Sequence, residues 1–239
     1  MARSAFPRPL AFTLVALALL IAWDSTSLDL VLARLVGTPM GFPWRNDWFL
    51  VKVMHEGAKS LSWLLVIGLF AGIRWPVSVL RLLARRERVQ LALTVLASVL
   101  VVSLIKRHSA TSCPWDLQAF GGVARYVSHW SFGVRDGGGG ECFPAGHASA
   151  AFAYVGGYFA FRRAAPRVAR IWLGVALAAG LVLGLSQQLR GAHFMSHTLW
   201  TAWICWTVAL LIDAAVRWLA RRRGELPPMP SSVPAARPN

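Results

Sequence analysis

The residues best suited to chemistry in this chain fall in three short segments. The first is Lys106-Arg107-His108, followed by Cys113-Pro114-Trp115-Asp116. The second is Cys142-Phe143-Pro144-Ala145-Gly146-His147. The third holds Gln187, Arg190, Gly191, Ala192, His193, Ser196 and His197. Such a set suits phosphoryl transfer. Lys106, Arg107 and Arg190 would neutralise the charge of a phosphate. Gly146 lies near the start of an apolar run, where free backbone N–H groups and the helix dipole favour an anion. Of two histidines, one would attack phosphorus while the other protonates the leaving oxygen.

At about 100° per residue in a helix, Arg190, His193 and His197 fall within roughly 60° of one another, so they converge if a single helix carries them. Gly191 can instead turn the chain between them, and both arrangements stay open. Each segment also has a plainer reading. Lys106 and Arg107 would serve as interfacial anchors. His147 would cap or pack at a helix end. His193 and His197, four residues apart, would suit zinc. No Glu follows His193 as a zinc hydrolase requires, and no carboxylate cluster lies nearby, so no metal or other cofactor is expected. His55, Glu56 and His129 read as ordinary loop residues.

The elements that must position these groups are apolar. Of 239 residues, 56% are hydrophobic and only 15% charged, against about a quarter charged in a soluble domain. Apolar runs near residues 6–23, 59–79, 89–105, 145–161, 169–186 and 198–219 are each long enough to cross a hydrocarbon core of roughly 30 Å. A soluble protein of this length has too little polar surface to cover such a core. The expected fold is therefore all-α: a polytopic membrane bundle of six transmembrane helices, with a large outer loop between the third and fourth. The first run follows Arg3 and Arg8 and ends at Ile21-Ala22-Trp23-Asp24 without a small-x-small cleavage site, so it reads as a retained signal anchor.

The formal charge of +15 invites a nucleic-acid partner, but its distribution excludes one. Arg74, Arg81, Arg85, Arg86 and Arg88 lie between the second and third runs. Arg162, Arg163, Arg167 and Arg170 lie between the fourth and fifth, and Arg217, Arg221, Arg222 and Arg223 close the sixth. This alternation is the positive-inside pattern, and no basic stripe with interleaved aromatics accompanies it. It predicts cytoplasmic termini in a cell inner (plasma) membrane. All three motif segments then share the outer face, which is periplasmic in a bacterial-type cell. Residues 28–36 are too short to span and read as an interfacial helix. Gly137–Gly140 reads as a flexible turn. The chain reads as one domain over 1–223, with the motifs in 95–215 and a proline-rich, disordered cytoplasmic tail over 224–239.

In order and spacing, the three segments resemble the type-2 phosphatidic acid phosphatase superfamily of membrane phosphatases, related to the vanadium haloperoxidases. Its pattern is Lys-x6-Arg-Pro, then Pro-Ser-Gly-His, then Ser-Arg-x5-His-x3-Asp. Lys106 and Pro114 match the first motif, with Cys113 in place of Arg. Pro144-Ala145-Gly146-His147 matches the second, with Ala for Ser. Ser186 and His193 match the third, with Gln187 for Arg and His197 for Asp. The resemblance implies His193 as nucleophile, His147 as general acid, and Lys106, Ala145 and Gly146 at the phosphate. Arg107 and Arg190 stand in, on our own reading, for the missing guanidinium groups, and His197 would orient His193. The implied partners are the bilayer and a phosphorylated lipid, hydrolysed as a phosphomonoester or pyrophosphate. Transfer to an acceptor lipid and non-catalytic binding of an anionic lipid are the alternatives. A Cys113–Cys142 disulfide is also expected: the topology puts both outside, where an oxidising compartment lets such bonds persist. Cys205, inside the sixth run, reads as a buried apolar residue.

Overall fold

In a computed structural model the protein is described over residues 7–224. Arg3 and the tail expected at 224–239, Gly224 apart, lie outside the described residues. Helix α1 (Pro7–Asp24) bends by 68° into α2 (Leu28–Arg34). A π-helical stretch, Phe49–Gly57, then leads into α3 (Ala58–Arg74). Next come α4 (Arg85–Arg107), α5 (Ser149–Phe152), α6 (Gly156–Phe161), α7 (Pro166–Leu189) and α8 (Met195–Arg222). Among the described residues there is no strand, only the isolated bridges Thr38–Gly41 and Leu117–Ala124.

Four segments are long and apolar enough to cross a membrane: Phe49–Leu82, Arg85–Arg107, Pro166–Leu189 and Met195–Arg222. The bent pair α1 and α2 adds a fifth if it counts as one span. The run expected at 145–161 is helical, but in pieces: a 3-10 turn at Gly146–Ala148, α5, a second 3-10 turn at Ala153–Val155, and α6. It occupies the centre of the bundle. Phe152, Val155, Phe159 and Phe161 are fully buried, whereas Leu64, Ile67, Ile171 and Val175 on α3 and α7 face outward. Small residues let the flanking helices close on it and on each other. A Cβ on Gly180 would fall 2.3 Å from the Phe152 ring, and one on Gly184 would fall 2.2 Å from Thr198 of α8.

The two ends of the bundle differ. At the arginine-rich end, the fully buried Asp213 carboxylate meets Arg162 at 2.6 Å, Arg163 at 3.0 Å and Arg217 at 2.8 Å. Gln90 of α4 donates to the same group at 3.3 Å. One side chain thus ties α4, α6 and α8. The other end carries the motifs, because α4 finishes at Arg107, α7 at Leu189, and α8 starts at Met195. A small second core of Phe42, Leu117, Phe120, Ala124 and Phe194 covers that end.

The glycine-rich turn is better anchored than its composition predicts. Gly137 and Gly140 take positive φ, as a tight turn requires. Asp136 accepts hydrogen bonds from the Ser112 N–H at 2.6 Å, the Ser112 hydroxyl at 2.7 Å and the Gly138 N–H at 3.0 Å. Burial alone would raise the Asp136 pKa, but these hydrogen bonds outweigh it and hold the carboxyl below its usual value.

Candidate active site

Lys106 arrives on the last turn of α4. Its stem lies against Gly146, where a Cβ would sit 3.3 Å from Lys106 Cδ, and its ammonium donates to the Glu141 carbonyl. The first motif therefore touches the second. Arg107 does not join them. One residue further on, it points about 100° away around the helix, is exposed, and is an electrostatic neighbour of none of His147, His193 or His197. Of the expected pair, only Lys106 enters the site.

The third segment is not one helix. Gly191 has φ +76°, and a Cβ there would fall 2.3 Å from the Phe42 ring. The chain turns, the Gly191 carbonyl accepts the Trp115 N–H at 2.9 Å, and α8 restarts at Met195. This turn carries His193 beneath the second motif. His193 Nδ1 lies 2.9 Å from the Cys142 carbonyl oxygen. A carbonyl only accepts, so Nδ1 carries the proton and Nε2 keeps its lone pair. Burial pushes the His193 pKa well below the ordinary value, and His197, Lys106 and His147 add to the effect. The imidazole is therefore neutral at pH 7, the form a nucleophile needs.

His197, expected to orient His193, does not. The two ring centroids are 5.8 Å apart, and His197 packs edge-on to Phe143 at 5.3 Å and Phe194 at 5.4 Å. Its Nδ1 has no hydrogen-bond partner among the described residues. The orienting group is instead a backbone oxygen, that of Cys142. Ala145 also departs from expectation. Its N–H donates to the His197 carbonyl at 3.2 Å, its own carbonyl accepts from Thr201, and its methyl is fully buried. It ties the second motif to α8 and has no donor left for phosphate. Cys142, His193 and His197 place metal-ligating atoms within 4.8 Å of one another. With the Cys142 sulfur bonded to Cys113, only two imidazoles remain, fewer than a zinc site uses.

Cys113 and Cys142 lie at disulfide distance, with Cα atoms 5.2 Å apart. Cys142 thus joins three things: the first motif through sulfur, the second motif through the chain, and His193 through its carbonyl. Closing 29 residues is worth on the order of 3 kcal/mol by the chain-entropy model. We expect reduction by a phosphine to lower both the melting temperature and kcat. Turnover that is unaffected by complete reduction would argue that the bond plays no part in holding His193.

His147 is an electrostatic neighbour of both Lys106 and His193. Its ring stacks on that of His55, with centroids 3.6 Å apart and planes at 30°. Arg190 is an electrostatic neighbour of both. Its guanidinium donates to the side chain of Gln187 at 2.9 Å and to the Arg45 carbonyl at 3.0 Å. Gln187 stands where the family pattern has Arg, so it holds in place a guanidinium supplied from three residues later. Arg45 lies over Trp115 at 4.5 Å, with Arg190 5.8 Å from the same ring.

Two carboxylates from the first outer segment brace this end. Asp29 accepts from the Ser196 N–H at 3.0 Å and from the Ser196 hydroxyl, capping the start of α8. Asp24 accepts from Trp200 at 2.8 Å, Trp130 at 2.9 Å and His129 at 3.2 Å. The His129 ring stacks on Phe143 at 4.1 Å, next to Pro144. His55, Asp24, Asp29 and His129 all escape sequence reasoning. The one local signal for His55 is its place just ahead of an apolar run, and the Asp24–His129, Asp24–Trp200 and Asp29–Ser196 contacts each join residues more than a hundred positions apart.

The apolar helical bundle thus gathers a carbonyl-bonded histidine, a second histidine, a lysine and an arginine at one end. The chain belongs to the PAP2 superfamily, whose family model matches residues 87–221. That family carries phosphatase-type phosphoester hydrolysis as its class of reaction. No curated protein and no solved structure matches the chain.

Proposed function

We propose that the protein is an integral membrane phosphatase with six crossings, which hydrolyses a lipid phosphomonoester or pyrophosphate at its outer, periplasmic face. The observation that carries this is the His193–Cys142 hydrogen bond, which leaves Nε2 unprotonated in a site that Lys106 and His147 share. Nε2 attacks phosphorus, the bond from phosphorus to the leaving oxygen breaks, and His147 supplies that oxygen with a proton; burial and the nearby cations lower its pKa to about 3, and the charge of the bound phosphate works against that shift to load the proton. Water then attacks the phosphohistidine, gives a proton to the now neutral His147, and releases phosphate. Lys106 and Arg190 neutralise charge on the transferred group. An acceptor lipid in place of water would make the same intermediate serve phosphotransfer.

The test is a panel of phosphatidic acid, phosphatidylglycerol phosphate, a polyprenyl pyrophosphate and lipid A, with phosphate release measured from protein purified in detergent. Release from at least one is expected. Binding without release or transfer from any would turn the reading to an anionic-lipid binder.

The orientation has its own check. Arg74, Arg85, Arg162, Arg167 and Arg222 all mark helix ends away from the motifs, which the positive-inside rule assigns to the cytoplasm. A reporter active only in the periplasm, fused to the C-terminus, is expected to be silent, and the same reporter inserted at Gly139 to be active. The reverse pattern would sink the assignment.

A further inference from the structure

The region of the chain matched to the family begins at residue 87, yet the ring closest to His147 belongs to His55. We propose that His55 is a positioning residue of the site, which braces the His147 ring and confines the stacked pair to a single proton. This rests on the general-acid role given to His147 above.

The geometry comes first. Centroids 3.6 Å apart with planes at 30° are van der Waals contact over most of the ring face, so His55 fixes the tilt of His147. No other hydrogen bond or ring contact recorded among the described residues orients the His147 side chain. His55 reaches it from Phe49–Gly57, a stretch of π-helix, a register that is rare and recurs at functional sites.

The charges come second. Around His147 stand Lys106 of α4, Lys59 of α3, Arg190 from the turn after α7, and His55 itself. His193 in turn feels His147. Around His55 stand Arg190, Lys59 and one carboxylate, Glu56, which also pairs with Lys52 at 2.9 Å. A single proton on the pair is shared with a neutral aromatic face. A second would set two imidazolium rings in contact among three further cations, so the pair titrates as a unit. His147 can then be charged as an acid without a competing charge on the ring beside it.

Two substitutions separate bracing from titration. H55F keeps an aromatic face and removes the second proton site. It is expected to retain kcat at its optimum within about threefold, while the limb of the kcat–pH profile that reports the acid moves to higher pH. The sign follows because a competing positive charge has gone. H55A loses the face as well, and kcat is expected to fall on the order of tenfold or more, most for poor leaving groups, with KM little changed. Loss of activity in both variants with no movement of the limb would reduce His55 to packing and overturn the proposal.

A second measurement does not need turnover. In protein labelled with ring-15N histidine, the His55 and His147 signals are expected to titrate together, and H55F to raise the His147 midpoint. Independent titration, or an unmoved midpoint, also overturns the proposal. If the wild type releases phosphate from no substrate, the phosphatase reading fails while the titration still decides on the pair. If the wild type turns over and the titrations are uncoupled, only the pair fails.

Discussion

The H193A variant is expected to release no measurable phosphate, a fall on the order of a thousandfold or more. The size follows from its position. The proton of His193 is assigned by a backbone oxygen 2.9 Å from Nδ1, and its other nitrogen is left for phosphorus. Neither neighbour can take over. His197 is packed edge-on to Phe143 and Phe194, and His147 is stacked on His55. The loss should fall on kcat, since Lys106 and Arg190 remain to bind the phosphate. Wild-type protein quenched in base during turnover should carry acid-labile phosphate, and H193A should carry none. Substantial turnover by H193A, or labelling that survives it, would remove His193 from the reaction.

The second large effect lies at the opposite end of the bundle. D213A is expected to destabilise the protein by about 3–5 kcal/mol, the usual result of taking one partner from a buried ion pair. The carboxylate is fully buried, and its loss leaves Arg162, Arg163 and Arg217 facing one another across the space it filled. Arg163, 45% exposed, adds least because solvent screens it. D213N keeps the shape and one acceptor oxygen, so it should recover part of the loss. The readout is the midpoint of thermal denaturation in detergent. A midpoint that stays at the wild-type value in D213A would show that the arginines, not the carboxylate, set the packing of this end. Activity per folded molecule should change little, since Asp213 is remote from the motifs.

How much of this was legible beforehand depends on the range of the interaction. The long helices were, because bilayer thickness dictates their length and the arginines mark their ends. The meeting of Lys106, His147 and His193 at one end was too, because residue type and spacing point to it. The division of 146–161 into short pieces was not, since an apolar run reads alike whether it faces lipid or lies at the centre of a bundle. The break at Gly191 was left open by the sequence and is decided by Phe42, about 150 residues away. The orienting oxygen of Cys142 was beyond reach because every residue has such an oxygen and only the fold aims it. For the same reason His197 was given a task that its side chain does not perform, and Ala145 a ligand role that its N–H is not free to fill.

The family match starts at residue 87, and a chain trimmed to 87–221 would keep every motif residue. It would also lose Asp29, which caps α8, Asp24, on which Trp130, Trp200 and His129 converge, and the His55 ring beneath His147. The matched region is therefore smaller than the set of elements that hold its motifs in place. The lead-in helices act as a clamp on the matched region from outside it. An expression boundary drawn around the matched region would leave those supports behind.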